Sequence, residues 1–133
     1  MQQKKHNAAF TIVELIIVIA VIAILATVVV VYLGSWRTNV AKTEVNSDIA
    51  NLKASMDDVR NRTNGYPVFS IGTKFTSTGA AKDVFVQSEY VEITYAAGNA
   101  TYYCVNFKSL ADSSVTMYLN TSGGNTTPQS GTC

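Results

Sequence analysis

Charge is what this sequence has least of. Only 14% of its 133 residues are Asp, Glu, Lys or Arg, against roughly a quarter in ordinary soluble domains. The ten basic and nine acidic side chains leave a net charge of +1. The basic ones are scattered, so no electrostatic footprint for a nucleic acid is expected. There is one histidine, His6, and no cluster of His, Cys and carboxylates from which to build a catalytic or metal site. Neither an enzymatic activity nor a cofactor is therefore expected. Proline occurs twice, at Pro67 and Pro128, so none interrupts residues 10 to 62. A chain of this length makes one small domain, or one domain plus an anchor.

The scarcity of charge is concentrated in one place. From Leu15 to Leu33, nineteen consecutive residues carry no charge, and Thr27 is the one clearly polar residue among them. As a helix rising about 1.5 Å per residue, this run spans roughly 28 Å, close to the hydrocarbon thickness of a bilayer. A helix apolar on every face must be buried, in lipid or inside a packed assembly. A secretory signal peptide has a shorter apolar stretch followed by small residues at its cleavage site. Tyr32-Leu33-Gly34-Ser35-Trp36 does not resemble such a site. Lys4 and Lys5 precede the run while Arg37 and Lys42 follow it, so the positive-inside bias is nearly balanced. The short tail and the placement of both cysteines after the run put the tail in the cytoplasm and the domain outside.

Glu14 lies at the edge of that run, behind Phe10-Thr11-Ile12-Val13. A carboxylate there gains from the helix dipole. Ionisable groups in membrane helices nevertheless tend to have a specific partner, and the pattern points to a positive group supplied within an assembly.

The stretch from Ala8-Ala9-Phe10-Thr11-Ile12-Val13-Glu14-Leu15 through Ala20 resembles the N-terminal signature of type IV pilins and pseudopilins. The resemblance is dense over about twenty-five residues. It implies that residues 1–9 are a leader removed by a prepilin peptidase between Ala9 and Phe10, with N-methylation of Phe10 by the same enzyme. It also implies that Glu14, with Thr11 beside it, serves subunit assembly. Ala9 stands where the family has Gly, Ala23 where Gly is common, and Val31 where Pro is common. The implied partners are further copies of the chain in a helical filament, the peptidase and N-methyltransferase, an assembly platform with its ATPase, and the membrane before assembly.

Cleavage before Phe10 would create an α-amine with a pKa of about 8, cationic at neutral pH. It would lie four residues, about 6 Å along the axis, from Glu14. A neighbouring helix shifted along its axis would bring its own amine to this carboxylate. In a water-poor bundle that pair would set the register between subunits.

Past the apolar run, Val45, Ile49, Leu52, Met56 and Val59 recur at spacings of 4, 3, 4 and 3, one stripe of an amphipathic helix. Lys42, Glu44, Asp48, Lys53, Asp57, Asp58 and Arg60 are expected on its solvated faces. Gly34-Ser35 is a weak point and a candidate bend. Asn64-Gly65 before Tyr66-Pro67 stops the helix near residue 62. A loop follows over 63–83, then antiparallel strands and a C-terminal loop over 84–133. Val91-Ile93-Tyr95, Tyr103-Val105-Phe107 and Val115-Met117-Leu119 each alternate with more polar residues. Gly98-Asn99 and Ala111-Asp112-Ser113 read as turns.

The expected architecture is α+β. A leader occupies 1–9, a transmembrane or filament-core helix 10–34, and an extracytoplasmic headgroup 35–133, in which the helix continues against a small antiparallel sheet. The resemblance implies the same fold. Cys104 and Cys133 are a coincidental pair, a metal half-site or a disulfide; outside the cytoplasm the disulfide is favoured, and pilins often pin a C-terminal loop in this way.

Four Asn-X-Ser/Thr triplets, at Asn61, Asn99, Asn120 and Asn125, are explained by a composition rich in Asn and Thr. Asp57, Asp58 and Asp83 do not have the spacing of a calcium loop. The function expected is that of a structural subunit of a surface pilus, with adhesion, motility and DNA uptake as family-level roles. The alternatives are a pseudopilin of a secretion or competence system and a single-span membrane protein with a small binding domain.

Overall fold

An α-helix, α1, runs from Ile12 to Thr63 in a computed structural model that describes residues 10–133. Its length follows from the missing prolines and from ends suited to the helix dipole. Glu14 lies in the first turn, and Arg60 and Arg62 lie in the last. The helix stops at Asn64, whose positive φ of 59° is the left-handed conformation of a helix C-terminus. Gly34 and Ser35 remain inside the helical run, so the expected bend does not break it. The stop falls at Thr63, beside the expected boundary.

Two compact units meet in sequence between Trp36 and Arg37. In the first, the described side chains of α1 are exposed around the whole helix, Ile12, Ile16, Ile19, Ile22 and Leu25 among them. The apolar segment is long and apolar enough to cross a membrane, and none of its described side chains is buried within the chain.

In the second unit, the remainder of α1 packs on a four-stranded antiparallel meander in the order β1-β2-β3-β4. The strands are β1 (Val91–Gly98), β2 (Tyr103–Ser109), β3 (Thr116–Asn120) and β4 (Gln129–Ser130). Ala41, Val45, Ile49, Leu52 and Met56 form the buried helical stripe. Val91, Ile93 and Tyr95 of β1 and Tyr103, Val105 and Phe107 of β2 complete the alternation on the inner face, with Val115 and Leu119 beside them. The result is the α+β arrangement anticipated from the periodicities, and it is pilin-like, as the resemblance implies.

Several details differ from expectation. Asp48 is not on a solvated face: it is 5% exposed, and its Oδ2 accepts the Ser88 N–H at 3.1 Å. Its position, three residues after Val45 and four before Leu52, places it on the buried stripe. The connection after the helix runs to Tyr90, longer than 63–83, because β1 begins at Val91. It also contributes Tyr66, Phe75 and Ala81 to the core. β4 was not anticipated.

Part of the connection lies along the free edge of β1. Gly72 N donates to Tyr95 O at 2.8 Å, Tyr95 N to Thr73 O at 2.8 Å, and Phe75 N to Ile93 O at 3.2 Å. Lys74 and Thr94 form an isolated antiparallel bridge, and Lys74 Nζ meets Glu92 Oε2 at 2.9 Å. This cover satisfies backbone groups that an edge strand would leave open.

The β1–β2 register shifts between Tyr95 and Ala97, so the ladder carries a bulge. The hairpin loop is longer than a Gly98-Asn99 turn and is organised by Asn99, whose Oδ1 accepts the N–H groups of Thr101 and Tyr102. Gly98 is required here. A Cβ on it would lie 2.7 Å from Tyr102 O and 2.8 Å from Tyr103 Cα, both main-chain atoms that cannot swing aside. Gly98→Ala is expected to destabilise the headgroup by about 2 kcal/mol or more. The check is the midpoint of urea unfolding in the full chain, which should fall without a change in slope.

Candidate functional site

The residues singled out at the N-terminus meet at the first turn of α1. Thr11 is the residue before the helix, and its carbonyl accepts the first helical bond, from Leu15 N at 3.2 Å. The Thr11 hydroxyl accepts the Glu14 N–H at 3.2 Å and donates to Glu14 Oε2 at 2.9 Å. Glu14 Oε2 also accepts the Thr11 backbone N–H at 2.9 Å. Thr11 and Glu14 therefore form a reciprocal capping box, Thr at N-cap and Glu three residues on.

Two helix donors that have no intrahelical partner are satisfied by this closure. The same closure fixes the carboxylate rotamer: two of the three contacts hold Oε2, and Oε1 accepts nothing from the described residues. A positive group arriving from another molecule would thus meet an oriented, solvent-facing oxygen. Phe10 precedes the box and is 86% exposed. Ala9 lies outside the described residues. The Thr-x-x-Glu spacing was available in the sequence as a capping signature, yet the assembly reading of Glu14 alone does not assign Thr11 this role.

The second pair of expected residues is brought together by the sheet. Cys104 on β2 is bonded to Cys133, with Cα atoms 6.2 Å apart and 29 residues of sequence separation. The chain end is held further by the Cys133 N–H, which donates to Asn106 Oδ1 at 2.7 Å. Just before Cys104, Tyr103 N donates to Thr121 Oγ1 at 2.9 Å, and Thr121 N returns to Tyr103 O at 3.0 Å. A tight turn at Ser122–Gly124 follows, with positive φ at both Gly123 and Gly124. Tyr118 donates its hydroxyl to Gln129 Oε1, tying β3 to β4.

This closed loop walls a cleft of about 550 Å³, whose other side carries Lys53, Asp57, Arg60, Tyr66 and Tyr102. Arg60 lies 4.9 Å over the Tyr66 ring and donates to its hydroxyl at 3.2 Å. Tyr66 in turn donates to Asp57 Oδ1 at 3.0 Å and meets Tyr103 edge to face at 4.9 Å. Burial, then the hydrogen bond to Asp57, raises the Tyr66 phenol above its ordinary range. Burial raises Tyr103 strongly, with Asp57 and Tyr66 adding to it. Both rings stay neutral under physiological conditions. Asp57, expected on a solvated face, is thus half-buried and engaged with Tyr66. The signal for this cluster was the i, i+3 spacing of Asp57 and Arg60 near the end of a helix, with Tyr66 three residues past its last residue.

At the β2–β3 turn, the Ser114 hydroxyl, the Thr38 hydroxyl and the Ser114 N–H hold the Asp112 carboxyl below its ordinary range, in that order. The Thr38 bond measures 2.8 Å and ties the turn to α1. Among the described residues no group of three or more His, Cys, Asp or Glu is placed to hold a metal ion.

The family described as the prokaryotic N-terminal methylation motif matches residues 4–30. That span includes Ala9, Phe10, Thr11, Glu14 and most of the apolar run. No curated protein and no solved structure matches the chain.

Proposed function

We propose, from a motif that indicates a type IV pilin or pseudopilin, that the chain is a pilin whose work is polymerisation into a surface filament. The observation that carries this reading is Glu14, presented by a capping box at the start of a helix whose first half is apolar, with its described side chains exposed on every side. Such a helix has two stable environments, lipid and a bundle of like helices. Before assembly, α1 would hold the subunit in the cytoplasmic membrane as a single-pass precursor. After removal of residues 1–9 by a prepilin peptidase, and methylation of Phe10, an ATP-driven platform would draw it out. Apolar helix faces of neighbouring copies would then replace lipid, with residues 37–133 forming the filament surface.

Glu14 would select the register. The new α-amine of an incoming copy is a cation at neutral pH, and a water-poor bundle strands any charge left without its counterpart. A pilus is favoured over a pseudopilus by the disulfide-closed C-terminal loop, which suits an exposed surface subunit. The family is structural, and the proposal assigns no reaction to this chain.

The test is electron microscopy of filaments sheared from the cell surface, with peptide identification and N-terminal sequencing of their main component. A filament built of this chain and starting at methylated Phe10 is the expected result. A chain that retains residues 1–9 and stays in the membrane fraction would instead be a single-span membrane protein with a small external domain.

A further inference from the structure

The apolar helix ends in an aromatic pair. Tyr32 and Trp36 are four residues apart, so they share one helix face about 6 Å apart along the axis. They are 72% and 56% exposed, and both belong to the first compact unit. Each ring has an apolar body and a polar tip, the combination enriched where hydrocarbon gives way to headgroups. Arg37, which follows Trp36 directly, is the first charged residue after Glu14. A long basic side chain at the end of a membrane helix reaches the polar headgroup region.

The spacing to the other end agrees. Trp36 lies 22 residues after Glu14, about 33 Å along a helix, against a hydrocarbon thickness of about 30 Å. We infer that Tyr32 and Trp36 dock in the headgroup boundary of the outer leaflet and fix the depth of the stored subunit, so that Glu14 sits at the inner boundary and not within the hydrocarbon. The inference rests on the membrane-stored stage of the proposed function. The occupant of this face is the lipid interface, because the pair marks the point where an all-round apolar surface stops.

Trp36 is the one tryptophan in the chain, so its fluorescence reports this position alone. The purified full chain is reconstituted at low protein-to-lipid ratio into vesicles of phosphatidylcholine and phosphatidylglycerol, and insertion is scored by flotation. Quenchers are then placed near the headgroup or at mid-acyl depth. Trp36 should be quenched more strongly by the shallow quencher. A reporter variant, Trp36→Phe with Ile22→Trp, should show the reverse order. Adding Tyr32→Ala and replacing Trp36 by Ala in that reporter should shift the residue-22 quenching ratio, because the anchor is gone.

Stronger mid-depth quenching of Trp36, quenching only by aqueous iodide, or an unshifted ratio in the Ala variant would overturn the anchor while flotation leaves membrane storage standing. Protection of Trp36 that grows with protein-to-lipid ratio would assign the face to a second copy and overturn it too. Failure to float would overturn the membrane stage and the anchor together.

Discussion

Glu14→Gln is expected to insert into the membrane normally and to enter filaments at least tenfold less often than the unmodified chain. Gln occupies the third helical position of a capping box as well as Glu does. This substitution therefore keeps the bonds to Thr11 and removes only the charge. In a water-poor bundle, the neighbouring α-amine would then lack its counterpart, and stranding one partner of a buried pair costs about 3–5 kcal/mol.

Glu14→Ala removes charge and cap together and should assemble as poorly. Thr11→Ala keeps the charge and loses the cap hydroxyl, at a helix cost of about 1 kcal/mol, so its filament yield should stay much nearer to normal. The measurement is the ratio of sheared surface filament to membrane-bound subunit by immunoblot. Normal yield from Glu14→Gln, with poor yield from Thr11→Ala, would reduce Glu14 to a helix cap and remove the register mechanism.

Cys104→Ser with Cys133→Ser is expected to lower the headgroup melting temperature by roughly 15 °C or more. The bond closes a loop across 29 residues, and chain-entropy reasoning assigns a loop of that size about 3–4 kcal/mol. In a unit of about 100 residues, each kcal/mol moves the midpoint by roughly 4–8 °C. The loss should centre on the C-terminal loop. β4 is two residues long, and Ser122, Gly123, Gly124 and Thr126 contribute no buried side chain. Thermal unfolding of the detergent-solubilised chain, with and without reductant, reads the difference. Equal midpoints would show that the Tyr103–Thr121 bonds and the bond from the residue-133 N–H to Asn106 hold the loop without the covalent link.

Periodicity made much of this fold legible. The stripe from Val45 to Met56 and the alternations at residues 91–95 and 103–107 are local patterns, and each burial follows from a side chain's own position along its element. Asp48 escaped because its acceptor role depends on the Ser88 N–H, forty residues away. A charge read by type alone goes to the surface. The burial of Phe75 escaped for a related reason. It is a lone aromatic in an aperiodic segment, placed by main-chain pairing with Ile93 and Gln87. β4 has no apolar alternation because both of its residues are exposed. At the N-terminus the chemistry lay in the sequence as Phe10-Thr11-x-x-Glu14. What needed coordinates was that the carboxylate is already oriented within its own chain.

The segment from Gly72 to Phe75 lying on β1, with the short β4 flanking β3, has a consequence for crowding. Subunits stored at high local density in one membrane plane, as proposed for this chain, would run the hazard of fusing strand to strand, as amyloid does. With one border occupied and the other reduced to two residues, that route is poorly templated. In the proposed filament, ordered growth would be left to the greasy rods, and a stray headgroup would be a poor seed for a tangle.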